Sequence, residues 1–226
     1  MYRYFIQPQL DKFTNSLIGY ELLMKKYQNN QWQKPRYFSE IPADTISTVL
    51  VGTTEKLALK IGAVSVNLNR TQMVNPQIRA ALIKSQDLLR PVRLTIELTE
   101  EPGDNGVTWE TLKPSLEELI ARGIDISIDD IGTGKNEIER AHRIIPYASE
   151  IKFALQNFEK DFSDADLQHQ VLYWQSIAHE NHMRFILEGI ENTNDDEIAD
   201  DLEINFRQGY FYGKPHLLKI NPTDPS

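Results

Sequence analysis

Short apolar runs recur along this chain at intervals that leave room for one helix between them. Tyr2–Ile6 is a β-rich start that stops at Pro8, and Leu17–Leu23 predicts a second strand after an Asp-Lys-Phe-Thr-Asn-Ser turn, so the two read as a hairpin. Residues 27–44 are polar, contain Pro35 and Pro42, and show no period; they read as loop. Asp44 is placed to cap the next helix, whose apolar stripe is Ile46, Val49, Leu50, Leu57 and Leu59 before Gly62 ends it. From there the rhythm is regular. Strands are predicted at 63–68, 92–98, 124–128, 149–153, 184–187 and 206–211, and helices at 76–85, 109–122, 137–145, 164–180 and 193–201. In the second of these helices Leu112, Leu116, Leu119 and Ile120 fall on one face, and Gly123 terminates it.

Strands alternating with helices predict a parallel sheet with right-handed crossovers. About seven or eight such units in a chain of this size favour closure over an open sheet. The expected fold is therefore α/β, a TIM-like (β/α)8 barrel with an irregular, antiparallel first strand. No linker, repeat or low-complexity stretch interrupts the sequence, so residues 1–226 read as one domain. The segment after Lys219, Ile-Asn-Pro-Thr-Asp-Pro-Ser, reads as a loose tail over 219–226.

Composition narrows the chemistry. The formal net charge of -9 argues against binding long nucleic acids, which requires a basic face, but not against a small anionic ligand held through cations. The absence of cysteine excludes disulfides, thiolate catalysis and zinc–thiolate sites. The amino terminus lacks the pattern of a signal peptide, and no apolar stretch approaches the roughly 20 residues of a membrane span. The expectation is a cytoplasmic protein with no membrane partner.

Carboxylates stand where the apolar runs end: Glu21 after Ile18-Gly19-Tyr20, Glu97 and Glu100 around Leu98-Thr99, Asp129-Asp130 after Ile128, and Glu188 and Glu191 after Leu187. Acids at the carboxyl ends of successive strands converge on one rim, and converging oxygens suit a divalent cation. Glu97 at a buried strand end needs a positive neighbour, either a metal or Arg93 four residues earlier on the same face. Asp129 and Asp130 point to opposite sides unless the chain bends; with a bend they can serve two cations about 3.5–4 Å apart. Asn67 adds a neutral oxygen, Lys152 a cation for a water or phosphate oxygen, and Gln208 an amide that orients a ligand. Ile131-Gly132-Thr133-Gly134-Lys135-Asn136 mimics half of a P-loop but fails the full pattern, which argues against nucleoside triphosphates. His179 and His182 read as helix-end residues, not zinc ligands.

These residues resemble the EAL-domain family of cyclic di-GMP phosphodiesterases from Gln7-Pro8 to Pro215. The similarity runs through Glu21-Leu22-Leu23, Val66-Asn67-Leu68-Asn69, Glu97-Leu98-Thr99-Glu100, Asp129-Asp130-Ile131-Gly132-Thr133-Gly134, Ile151-Lys152, Glu188-Gly189-Ile190-Glu191 and Gln208 to Pro215. The resemblance implies hydrolysis of cyclic di-GMP to linear pGpG by in-line attack of a metal-activated water, with two Mg²⁺ or Mn²⁺ ions. It implies Glu21, Asn67, Glu97, Asp129, Asp130 and Glu188 as metal ligands, and Lys152, Glu188 and Asp130 as catalytic groups. Gln7, Leu23, Lys25, Gln208 and Pro215 would contact substrate, and Glu100 would brace the loop after Asp130. A homodimer, and a protein partner for regulation, are further expectations. Lys25 replaces the family's Arg and keeps the charge without its bidentate grip. Ile131 replaces Phe, Lys135-Asn136 replaces Tyr-Ser, and Ala154 replaces Asp. Two alternatives stand beside the hydrolase: a receptor or protein-binding regulator without activity, and a metal phosphodiesterase with a changed substrate.

Overall fold

The computed structural model of the protein describes residues 1–36, 41–58, 61–99, 106–132 and 137–225, with backbone alone at 137–140. Its elements in chain order are strands β1 (Tyr2–Asp11), β2 (Ser16–Gln28) and β3 (Gln31–Gln33), helix α1 (Ala43–Leu57), β4 (Ala63–Asn69), α2 (Arg70–Val74), α3 (Pro76–Leu89), β5 (Arg93–Thr99), α4 (Trp109–Ala121), β6 (Asp125–Ile128), α5 (Glu137–Ile144), β7 (Glu150–Ala154), α6 (Ala165–Glu180), β8 (Arg184–Glu188), α7 (Thr193–Asp201), β9 (Phe206–Gln208) and β10 (His216–Leu217). Two compact units divide the chain. One comprises Met1–Gln7, Gly19–Asp125 and Pro215–Ser226, the other Pro8–Ile18 and Ile126–Lys214.

In the first unit β2, β4 and β5 run parallel, with Glu21 beside Ser65 and Asn67 beside Glu97. Strand interiors read Val64, Val66, Leu94 and Ile96, all nearly inaccessible, as expected of a parallel sheet covered on both faces. Gly19 is required where β2 meets β4, since a Cβ there would lie 2.6 Å from the Ala63 carbonyl oxygen. The covering helices start for local reasons. Asn69 and Gln72 form a reciprocal capping box on α2, and Asn75 accepts from Gln77 and Ile78 backbone N–H groups ahead of Pro76 at the start of α3. Asp44 does not cap α1. Pro42 occupies that position without a side-chain bond, and Asp44 lies in the first turn, where a negative charge suits the helix dipole. Buried Gln86 binds two strand backbone groups, donating to Val92 O at 3.0 Å and accepting from Leu94 N at 2.7 Å.

Three expectations are corrected here. Pro8 does not stop the first strand: β1 pairs antiparallel with β10 at Phe5 and Ile6 and with β9 at Gln9 to Asp11, and Pro8 falls between these ladders. Part of the 27–44 loop is strand, because Tyr27 and Trp32 face each other across β2 and β3. The stretch after Lys219 is fastened rather than loose. Arg3 donates to both Asp224 carboxylate oxygens at 2.7 and 2.6 Å, Asp224 accepts from Ile220 and Asn221 N–H at 3.0 Å, and Trp32 donates to Pro225 O.

In the second unit β6, β7, β8 and β9 run parallel, with Ile128 beside Ile151, Ala154 beside Glu188, and Leu187 beside Arg207. The buried cores of β7 and β8 are Ile151, Phe153, Ile186 and Leu187, covered by α6 through Leu167, Val171 and Trp174. Asp164 caps α6 by accepting from Asp166 and Leu167 N–H groups. The strand expected at 206–211 ends at Gln208, because the chain turns at Gly209 to Gly213, and it is not the last, since β10 follows.

Candidate metal and phosphodiester site

Alternation along β2 puts Glu21, Leu23 and Lys25 on one face. In the first unit Glu21 is 7% exposed and Glu97 is wholly buried. Asn67 donates from Nδ2 to Glu21 Oε1 at 2.6 Å and stands beside Glu97 in register, so the three sit together toward the carboxyl ends of β4 and β5 and midway along β2, which runs on past the expected strand end. Arg93, the alternative partner for Glu97, pairs instead with Asp125 at 3.0 Å in solvent. The cation suggested by spacing along the strand therefore serves a surface acid on another segment. The Lys25 ammonium lies 4.7 Å from the Phe5 ring centroid, a cation–π contact that holds it in place. In the Ile6–His216 pair, Ile6 is directly followed by Gln7 and His216 directly preceded by Pro215, two of the expected substrate contacts.

In the second unit the carboxylates of Asp129, Asp130 and Glu188 each place an oxygen within 4.8 Å of the others. The bend needed to bring adjacent acids together occurs at Asp130 itself, at φ +54°, a left-handed geometry that Asp tolerates better than most residues. Asn157 donates to Asp130 Oδ1 at 2.7 Å. Ile131 N donates to Lys152 O, and Gly132 at φ +105° crosses the stacked rings of Phe153 and Phe158, where a Cβ would lie 2.8 Å from Phe153. The turn is thus pinned to β7. Buried Lys152 forms an ion pair with Glu188 Oε1. One residue beyond the Leu187–Arg207 register, Glu188 and Gln208 end neighbouring strands, both buried.

Glu100, Lys135 and Asn136 lie outside the described residues. His179 and His182 are exposed at the end of α6. Asn157 was invisible in the sequence, since a lone amide after the lysine strand carries no pattern. So was a charge network behind Gln208, in which Arg207 meets Asp196 and Asp200 at 2.7 Å and Asp196 also accepts from Tyr212 and Lys12. Burial works to raise the Asp196 carboxyl, but Lys12, Tyr212 and Arg207 together hold it below the ordinary range. Burial, then Asp196, push the Tyr212 phenol up, so it remains a donor.

Three carboxylates this close repel unless a dication or proton intervenes, and a hard all-oxygen set suits Mg²⁺ or Mn²⁺. The profile of the EAL domain family matches residues 2–215. Among similar proteins, the bifunctional diguanylate cyclase/cyclic di-GMP phosphodiesterase MucR of Pseudomonas aeruginosa is 28% identical over 159 residues, covering 67% of this chain and 22% of that protein. The probable cyclic di-GMP phosphodiesterase PdeG of Escherichia coli is 24% identical over 98% of this chain and 46% of its own length. The chain thus spans less than half of either relative. The solved PaMucR phosphodiesterase in complex with c-di-GMP aligns with a TM-score of 0.75 at 23% identity, covering 96% of this chain and 97% of that one. This likeness gives the fold as the TIM-like α/β barrel expected from the sequence.

Proposed function

The chain belongs to the EAL-domain family, and from that premise we propose that it hydrolyses cyclic di-GMP to linear pGpG in a metal-dependent reaction. The observation that carries this reading is the grouping of Asp129, Asp130 and Glu188 oxygens around the buried Lys152–Glu188 pair. Asp129, Asp130 and Glu188 would hold the cations, Mg²⁺ or Mn²⁺, and the family motifs add Glu21, Asn67 and Glu97 as further ligands. When bound, such ions offset phosphate charge and acidify water. Lys152 orients the attacking water, whose oxygen forms the new bond to phosphorus in line with the 3′ oxygen, which departs with the bonding electron pair and takes up a proton from solvent. Glu188 takes a proton from that water, and Asp130, held by Asn157, fixes the geometry. Gln7 and Pro215, Leu23 and Lys25, and Gln208 hold the dinucleotide, and Glu100 braces the loop after Asp130. The same reading takes the protein as a cytoplasmic homodimer open to a regulatory protein partner.

A second reading, a cyclic di-GMP receptor or protein-binding regulator, is favoured by two observations. Lys25 rests on Phe5, and Ala154, fully buried beside Glu188, offers no carboxylate. Chromatography of cyclic di-GMP incubated with the protein and Mg²⁺ or Mn²⁺ separates the two, with Glu21→Ala as control. Linear product lost in the variant supports the hydrolase. Retained dinucleotide binding without product moves the assignment to the receptor, and turnover of another cyclic dinucleotide alone changes the substrate.

A further inference from the structure

Behind Gln208 lies a charge network that the proposed chemistry does not use. Arg207 is 2% exposed, and all three of its guanidinium nitrogens have partners. Nε donates to Ile204 O at 2.7 Å, Nη1 to Asp196 O at 3.0 Å and to Asp196 Oδ1 at 2.7 Å, and Nη2 to Asp200 at 2.7 Å. The same Asp196 Oδ1 accepts the Tyr212 hydroxyl, and its Oδ2 accepts Lys12 Nζ at 2.5 Å. Asp196 therefore binds residues on both sides of Gln208, the one preceding it and the one closing the turn that follows.

That turn interlocks with the loop that follows Glu188. Ile190 N donates to Gln208 O at 3.3 Å, Phe211 N donates to Ile190 O at 3.0 Å, and a Cβ on Gly209 would lie 2.0 Å from Ile190 O. The neighbouring Asp195 grips the Glu188 loop directly, its Oδ2 accepting from Glu191 N at 3.0 Å and from Asn192 Nδ2 at 2.9 Å. The first turn of α7 thus holds the loop after Glu188 with one aspartate and the segment around Gln208 with the next. Apolar side chains could fill this space without the desolvation cost of a buried guanidinium. What a carboxylate accepting from three side chains adds is a fixed direction for each of them.

We propose that Asp196, acting through Arg207 and Tyr212, is a positioning residue that sets Gln208 beside Glu188 for the bound dinucleotide. The assignment rests on the phosphodiesterase reading for its ligand, though not for its geometry. Tyr212→Phe removes one hydroxyl and keeps the ring; Asp196→Asn keeps the shape and removes the charge. In both, the Phe211 and Tyr212 amides exchange with deuterium at least about tenfold faster than in the wild type. In both, KM for cyclic di-GMP rises about five- to tenfold while kcat stays within about twofold. The Tyr212→Phe/Gln208→Ala double variant has a KM no worse than Gln208→Ala alone, because both changes remove the same contact. Unchanged exchange at Phe211 and Tyr212, or KM effects that multiply with that of Gln208→Ala, overturns the proposal. So does a lowered Tm as the sole effect. Should the wild type neither bind nor cleave the dinucleotide, the functional reading fails, and the exchange measurement still decides whether the network holds the segment.

Discussion

Lys152 and Glu188 illustrate how much depends on a single pair of side chains. Both are buried, and they form an ion pair. Removing one partner of such a pair strands a charge in low dielectric and costs about 3–5 kcal/mol, whereas replacing both is far milder. Lys152→Met and Glu188→Gln are therefore each expected to lower unfolding free energy in urea, with the Lys152→Met/Glu188→Gln double variant recovering part of the loss. A double variant as unstable as the sum of the singles argues against direct pairing. Turnover, by contrast, should fall about 10²-fold or more in Lys152→Met, with no recovery in the double variant. Gly132 acts at the same scale through backbone alone. At φ +105° and pressed on Phe153, it leaves no room for a methyl group, so Gly132→Ala costs about 1 kcal/mol or more and moves the Asp129–Asp130 turn. A lowered denaturation midpoint together with weakened metal binding is the expected result.

At the scale of elements, the segment carrying Asp224 behaves as a structural part. Its carboxylate ties Arg3 of β1 to the backbone at Ile220 and Asn221. The Arg3 guanidinium, first among several influences, holds the Asp224 carboxyl below its ordinary value of 3.8. A depressed acid contributes stability that is present above the unfolded pKa and lost as pH falls through the lowered folded pKa. Wild-type Tm should thus fall more steeply than that of Asp224→Asn as pH drops from about 5 toward 2, the two curves converging at the acid end. Near neutrality the variant should be less stable by about 1.5–3 kcal/mol, the range for hydrogen bonds to a charged group. Parallel curves across this window would remove Asp224 from the clasp. Secondary-structure periods could not reveal this role, because Ile-Asn-Pro-Thr-Asp-Pro-Ser has none. Its order comes from Arg3 and Trp32, far away in sequence.

For the molecule as a whole, a cation that binds only the folded chain must stabilise it. At about a hundredfold excess over Kd the gain is about 2.7 kcal/mol, or roughly 5–10 °C in Tm for a chain of this length. Mn²⁺ or Mg²⁺ should raise the wild-type Tm, chelation should reverse the rise, and Asp129→Asn or Asp130→Asn should blunt it. A Tm indifferent to both metals in the wild type removes the metal-centre reading of the second-unit carboxylates.

What the amino-acid order determined unaided was local: the alternation of strand and helix, the acids at strand ends, and the glycines that let the chain turn. Those features follow from side-chain period and backbone sterics within a few residues, which is why the α/β class and most element bounds were legible. Partnership between distant segments was decided only in three dimensions. Arg93 looked four residues ahead to Glu97 yet binds Asp125; Lys152 found Glu188; Asp196 gathered Lys12, Arg207 and Tyr212. A charge fixes that a partner is needed, because burying it alone is too costly, but the packing of the chain chooses which partner arrives.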